Sequence, residues 1–231
     1  MARVGLTKAG LCALMLLTVG IWEAPAPAQS AAPGRRVVGA TAPWKIAGVG
    51  LGMTPAQVAR AVKEDGWRLT QRSQGLSWDG HVAHQAPRRS SGKKIPAAPQ
   101  VIEREDYEWG DEQMRVTYQA GRSGPYVSQV DYSIGSEAIE TDKLRSVVLA
   151  KYGKPSLRWE SELLYCAAGE PQCSRTGSLV TNQLPNLTVY LWGLPRHYLH
   201  LRQGQRADKA YDAAIRAEAE RLYPRANKTT F

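Results

Sequence analysis

The chain has 231 residues, with 30 lysines and arginines against 21 aspartates and glutamates and only three cysteines. Past residue 28 no stretch is apolar enough to cross a bilayer as a helix, so no transmembrane segment is expected in the mature protein. The basic balance admits anionic lipid, acidic glycan or nucleic acid as neighbours, and simple colloidal repulsion as well, so charge alone selects no partner.

The N-terminus reads as a targeting segment. Arg3 and Lys8 precede an apolar run over residues 9–21, long enough for a signal-peptide core and shorter than the roughly 20 residues of a spanning helix. Ala26-Pro27-Ala28 supplies a small-x-small cleavage pattern, so cleavage is expected after Ala28, giving 1–28 as signal peptide and 29–45 as a flexible lead-in. Cys12 follows Leu11 inside the apolar core, where a lipid-attachment cysteine does not belong. Removing Arg3, Lys8 and Glu23 leaves 28 basic and 20 acidic residues, a net +8.

Gly48, Gly50 and Gly52 turn the chain into a first helix. Thr54, Pro55 and Gln57 form a capping box with proline at the first helical position. Val58, Ala61 and Val62 fall on one face, and Gly66 ends the helix. The three glycines do not match the dinucleotide fingerprint, because no strand-helix-strand unit surrounds them, and no cofactor is expected. Residues 67–78 read as a strand broken at Gly75. Residues 79–100 read as a loop carrying His81, His84, Arg88, Arg89, Lys93 and Lys94. A loop of that length inside a compact domain is either functional or disordered.

Strands resume over 101–109, 113–119 and 126–134, the last two joined by a hairpin loop at 120–125. A second helix is expected from a cap at Thr141, with Leu144, Val147, Val148 and Tyr152 as its stripe, stopped by Gly153 and Pro155. Strands follow over 157–166, 176–181, 187–192 and 197–202. Residues 205–223 form a third helix with Tyr211, Ala214, Ile215 and Leu222 on one side. The hairpins indicate antiparallel pairing, so the fold class is α+β, with helices packed on one face of antiparallel sheet. The domain plan is one helix-plus-sheet module over 46–135, a second over 136–204, and a C-terminal helix and tail over 205–231.

Cys166 and Cys173, with six residues between them in an exported chain, read as a structural disulfide closing a hairpin-sized loop, worth about 2–3 kcal/mol. A zinc site would need two further ligands. The pairs His81/His84 and His197/His200 have helix-compatible metal spacing, but the first lies in a loop and the second in a strand, where positions i and i+3 face opposite ways. No G-x-S-x-G occurs, and Ser123 belongs to a hairpin loop. Glu103 and Glu105 share a strand face and read as a solvated acidic face. Arg88, Arg89, Lys93 and Lys94 concentrate positive charge. Their functional reading is contact with anionic lipid or glycan, and their plain reading is a solvated loop. The six tryptophans left after cleavage read as packing the sheet rather than as a stacking platform, which needs aromatics interleaved with basic residues on one exposed face, so nucleic acid is not an expected partner.

The segment Gly52-Met53-Thr54-Pro55-Ala56-Gln57-Val58, with Tyr152-Gly153-Lys154-Pro155 closing the second helix, resembles the SmpA/OmlA outer-membrane-assembly lipoproteins and the β-lactamase inhibitor proteins that share their fold. The likeness covers roughly a tenth of the chain. It implies tandem helix-plus-sheet modules, a bacterial periplasmic location, and protein binding rather than catalysis. The chain departs from it by lacking a lipid-attachment cysteine and by adding the 79–100 loop and the last helix. The expected function is thus a non-enzymatic periplasmic module that binds an envelope protein. The alternative is a small hydrolase or ligand-binding protein with its site in the sheet concavity.

Overall fold

The computed structural model describes residues 42–85, 97–167, 173–176, 179–192 and 195–224. The signal segment, most of the lead-in and the basic residues Arg88, Arg89, Lys93 and Lys94 lie outside them. The first helix, α1 (Pro55–Glu64), starts as its sequence requires. Thr54 Oγ1 accepts from Gln57 N–H, and Gln57 Oε1 accepts from Thr54 N–H at 2.8 Å, satisfying two of the donors a helix start leaves open. Val58 and Val62 are buried.

Then follow β1 (Arg68–Leu76), α2 (Trp78–Gln85), β2 (Gln100–Trp109), β3 (Glu112–Gly121) and β4 (Gly124–Gly135). Helix α2 corrects the expected loop, which as a loop began at residue 79. The Ser77 hydroxyl accepts from Gly80 N–H, and Trp78 and Val82, four residues apart, bury one short face. Gly80 and two histidines hide that stripe in the sequence.

The second half opens with α3 (Thr141–Tyr152), whose N-cap is Glu140 rather than Thr141; its side chain makes no capping bond. Leu144 and Val148 are buried, whereas Val147 faces out. Then come β5 (Leu157–Arg158), β6 (Glu162–Cys166), a separate hairpin of β7 (Cys173–Thr176) and β8 (Leu179–Asn182), β9 (Asn186–Tyr190), β10 (Arg196–Arg202) and α4 (Gln205–Leu222).

Eight strands form one antiparallel sheet in the order β1-β2-β3-β4-β10-β9-β6-β5, confirming the α+β class. Each half contributes four strands in the same outside-to-inside order, and the halves meet where β4 pairs with β10 over seven residue pairs, from Arg196↔Gly135 to Arg202↔Gln129. The main core sets Val58 and Val62 of α1 and Leu144 and Val148 of α3 against one sheet face. Tyr107, Met114, Val116, Val130, Leu199 and Val189 line that face, one strand after another. A smaller cluster joins Trp78 and Val82 of α2 to Tyr211, Ile215 and Ala219 of α4. Helix α4 is fastened to the end of the β3–β4 hairpin, where Arg122 pairs with Glu218 at 3.0 Å and lies over the Trp78 ring. Among the described residues no helix is long and apolar enough to cross a membrane.

Candidate binding face

Side chains alternate along a strand, so the residues between the core positions project from the other sheet face. On β2, β3, β4 and β10 these include Asp106, Arg115, Asp131, Ser133, Tyr198 and His200. Together they line a hollow of about 510 Å3 in the middle of the sheet. A second hollow of about 280 Å3 adjoins it, bordered by Gln129, Thr188, Tyr190 and the first turn of α4. His200 and Arg202 line both, so the two are one groove running across the seam between the halves.

Polar pairing follows the strand register. Arg115 stands opposite both Asp106 and Asp131, and its Nε donates to Asp106 at 2.8 Å. Asp131 stands opposite His200, whose Nδ1–H donates to its carboxylate at 2.5 Å, while the Gln129 amide donates to the other oxygen at 2.6 Å. Burial pushes the Asp131 carboxyl up. The hydrogen bonds from His200 and Gln129 and the nearby charges of His200 and Arg202 outweigh it and hold the group below its ordinary value. Asp131 is therefore ionised at neutral pH, which places the shared proton on Nδ1 of His200.

Aromatic rings close one side of this pair. Tyr198 stacks on His200 with centroids 6.1 Å apart and planes 4° apart, and Tyr190 meets the same imidazole edge-on at 5.4 Å. Trp192 extends the row 5.5 Å beyond Tyr190 and is 56% exposed. Arg202 is exposed and has no hydrogen bond or ion pair among the described residues.

A histidine bonded to a carboxylate is half of an acid–base catalyst, so the position of hydroxyls and thiols matters. Ser133 lines the groove, but its Oγ accepts from Arg196 at 3.0 Å, and no described serine or cysteine is bonded to His200. The two histidine pairs are arranged differently from one another. His197, three residues before His200, points into the core, where Nε2 meets the Ile139 carbonyl at 3.2 Å. His81 and His84 lie on α2 rather than in a loop, and His81 sits edge-on to Tyr211 with its pKa lowered by burial. Among the described residues no three potential ligands come together to hold a metal.

The acidic face on β2 also needs correcting. Glu103 is exposed, but Glu105 is 1% exposed. Glu105 is gripped by Arg72 through Nε and Nη2 at 2.9 and 2.6 Å, and it accepts from the Tyr107 and Tyr118 hydroxyls. A register shift between Ser73 and Gln74 leaves Glu103 without a partner on β1, which separates the two glutamates. Cys166 ends β6 and Cys173 begins β7, and the Cys173 side chain lies outside the description.

Of the groove residues only His200 was singled out from sequence, as half of a possible metal pair. Their signal was the alternation of polar with apolar residues along 113–119, 126–134 and 197–202. Comparison with known families, curated proteins and solved structures finds no match for this chain.

Proposed function

We propose that this chain is an exported, non-catalytic protein of the bacterial periplasm that binds another envelope protein across the open face of its sheet. The observation that carries the reading is the aromatic row Trp192–Tyr190–Tyr198 standing beside mixed charges on an otherwise polar sheet face. Tyrosine, tryptophan and arginine dominate the energetics of protein interfaces because they bury large areas and keep a polar handle. The Asp131–His200 pair, with no nucleophile bonded to it among the described residues, serves on this reading as a charge element of the face. Cleavage after Ala28 delivers the protein to the periplasm, the Cys166–Cys173 disulfide staples the chain between β6 and β7, and Arg88, Arg89, Lys93 and Lys94 offer a contact for anionic lipid or glycan.

The test is site-specific photo-crosslinking in the living cell. A photoreactive residue in place of Tyr198 is expected to trap a discrete protein adduct. The same residue in place of Val147, which is 49% exposed on α3, is expected to trap none. Equal labelling from both positions, or none from either, overturns the proposal.

A further inference from the structure

We propose that the second hollow of the groove, beside the first turn of α4, holds an uncharged sugar ring. This goes beyond the protein-binding reading and adds a small ligand at one end of the same face.

Three amides of this hollow spend their N–H groups on the protein and keep their oxygens back. Gln203 is 3% exposed, and its Nε2 donates to Gln119 and to Asp208, both at 2.7 Å. A carboxylate only accepts, so this bond fixes which way the amide is turned. The Gln203 Oε1 is then buried with no donor among the described residues. Asn186, 5% exposed, gives Nδ2 to the Leu184 carbonyl at 3.2 Å, and Gln129 gives Nε2 to Asp131 at 2.6 Å. Asn186, Arg202 and Gln129 stand side by side on β9, β10 and β4, and all three line the hollow. An acceptor left unmade costs stability that a donor restores, directly or through a water. Gln205 is turned the opposite way. Its Oε1 accepts from Gln183 at 3.1 Å, which leaves its Nε2 to donate. The hollow thus offers acceptors and donors together, and a hydroxyl uses both.

Charge does not select an ion here. Among the described residues that line the hollow, Arg202 and Asp208 carry the fixed charges, and these cancel. Arg202 already acts on Asp131, and Asp208 already holds the Gln203 amide. The remaining wall is aromatic. Tyr190 borders the hollow, and Trp192, 56% exposed, stands 5.5 Å beyond it. A sugar ring has hydroxyls around its rim and C–H groups on its faces, so it lays one face on the rings while its rim meets the amides. An apolar ligand would leave the amides unmatched, and a simple ion would leave the rings bare. Pockets for drug-sized ligands begin at about 300 Å3, so the 280 Å3 of this hollow is room for one ring rather than several.

The experiment titrates the mature protein with glucose, N-acetylglucosamine and their linear hexamers, maltohexaose and chitohexaose. Calorimetry reads affinity, and the side-chain amide signals of Gln129, Asn186 and Gln203 in the nuclear magnetic resonance spectrum report the place. At least one of the four sugars is expected to bind with a dissociation constant of about 1 mM or tighter and to move those signals. A hexamer that binds more tightly than its own monosaccharide identifies a glycan strand as the source, and equal affinity identifies a free sugar; either supports the site. Trp192→Ala removes an exposed ring, so its fold is not at risk, and it is expected to weaken binding about three- to tenfold. Asp208→Asn keeps an acceptor for Gln203, which a matched melting temperature verifies, and is expected to weaken binding by about threefold or more. The proposal is overturned if none of the four sugars binds, if both variants bind as the parent does, or if the three amide signals stay still while others move. Blocked tetraglycine that moves these amides when no sugar does gives the hollow to the protein partner instead. Hexaglutamate or hexalysine binding there more tightly than any sugar makes the site ionic and likewise overturns the proposal.

Discussion

Glu105 shows how much a single position can hide. A charge that is 1% exposed survives in a protein interior only when its lone pairs are taken, and here two bonds from Arg72 and two tyrosine hydroxyls take them. The alternation over 101–109 correctly set Glu105 and Tyr107 on one face. Nothing in that run announced that the face was buried, because the arginine that neutralises Glu105 sits on β1 and the second tyrosine on β3. Burial first, and then the bond to Glu105, pushes both phenols up. A raised folded-state pKa favours the neutral phenol, so this contribution to stability is intact below about pH 10 and is lost as pH rises through the folded values. Glu105→Ala leaves two hydroxyls and a guanidinium without their acceptor. It is expected to cost about 3–5 kcal/mol, nearer the lower figure because the Arg72 side chain is 47% exposed. Denaturant unfolding at neutral pH measures the loss, and absorbance titration of the phenols is expected to show at least one titrating at lower pH than in the parent. Unchanged stability would mean that the network is ornamental.

At the scale of elements, the strongest local signals told most. The capping box of α1 and the Tyr211–Ile215 part of the α4 stripe were readable because each depends on neighbours within one or two turns. Leu222, expected on that stripe, is 46% exposed, and Ala219 is buried instead. Helix α2 was not readable, since its face is two residues wide and is completed by Tyr211 and Ile215 from the far end of the chain. The seating of α4 depends on one backbone position. Gly204 caps the helix at φ +86°, and a Cβ there would stand 2.4 Å from the Leu184 carbonyl oxygen. Strain at a positive φ alone costs about 1–3 kcal/mol, and the close approach adds to it. Gly204→Ala is expected to lower the melting temperature and to speed hydrogen exchange in α4 ahead of the central strands. Uniform exchange across the protein would show that α4 and the sheet open as one unit.

At the scale of the molecule, the two halves are not independent. Their innermost strands pair with each other, so β4 and β10 each complete the other's ladder, and Val130, Leu199 and Leu201 are buried across the seam. The sequence conveyed that helix-plus-strand units repeat. It did not convey that they share a sheet, because register between distant strands is set by burial on the assembled face rather than by any local pattern. The groove straddles this seam, which is why neither half spelled it out. Expressed separately, residues 29–135 and 136–231 are each expected to aggregate through the bared strand, and expressed together to recover a soluble complex. A soluble, cooperatively melting N-terminal half would show that the seam is a contact between finished domains.

The two outer margins of the sheet are unequal. One is β1, nine residues long, paired among the described residues only with β2 and mostly exposed; the other is β5, two residues long. A sheet grows into a fibril only if each added copy offers a fresh margin as good as the one it covered. This one cannot. Two copies meeting along β1 would hide both long margins and present only the stubs of β5. Strand addition therefore stops at a closed pair. A wide antiparallel sheet that can neither polymerise nor template its neighbours carries its protection against strand addition in its outline.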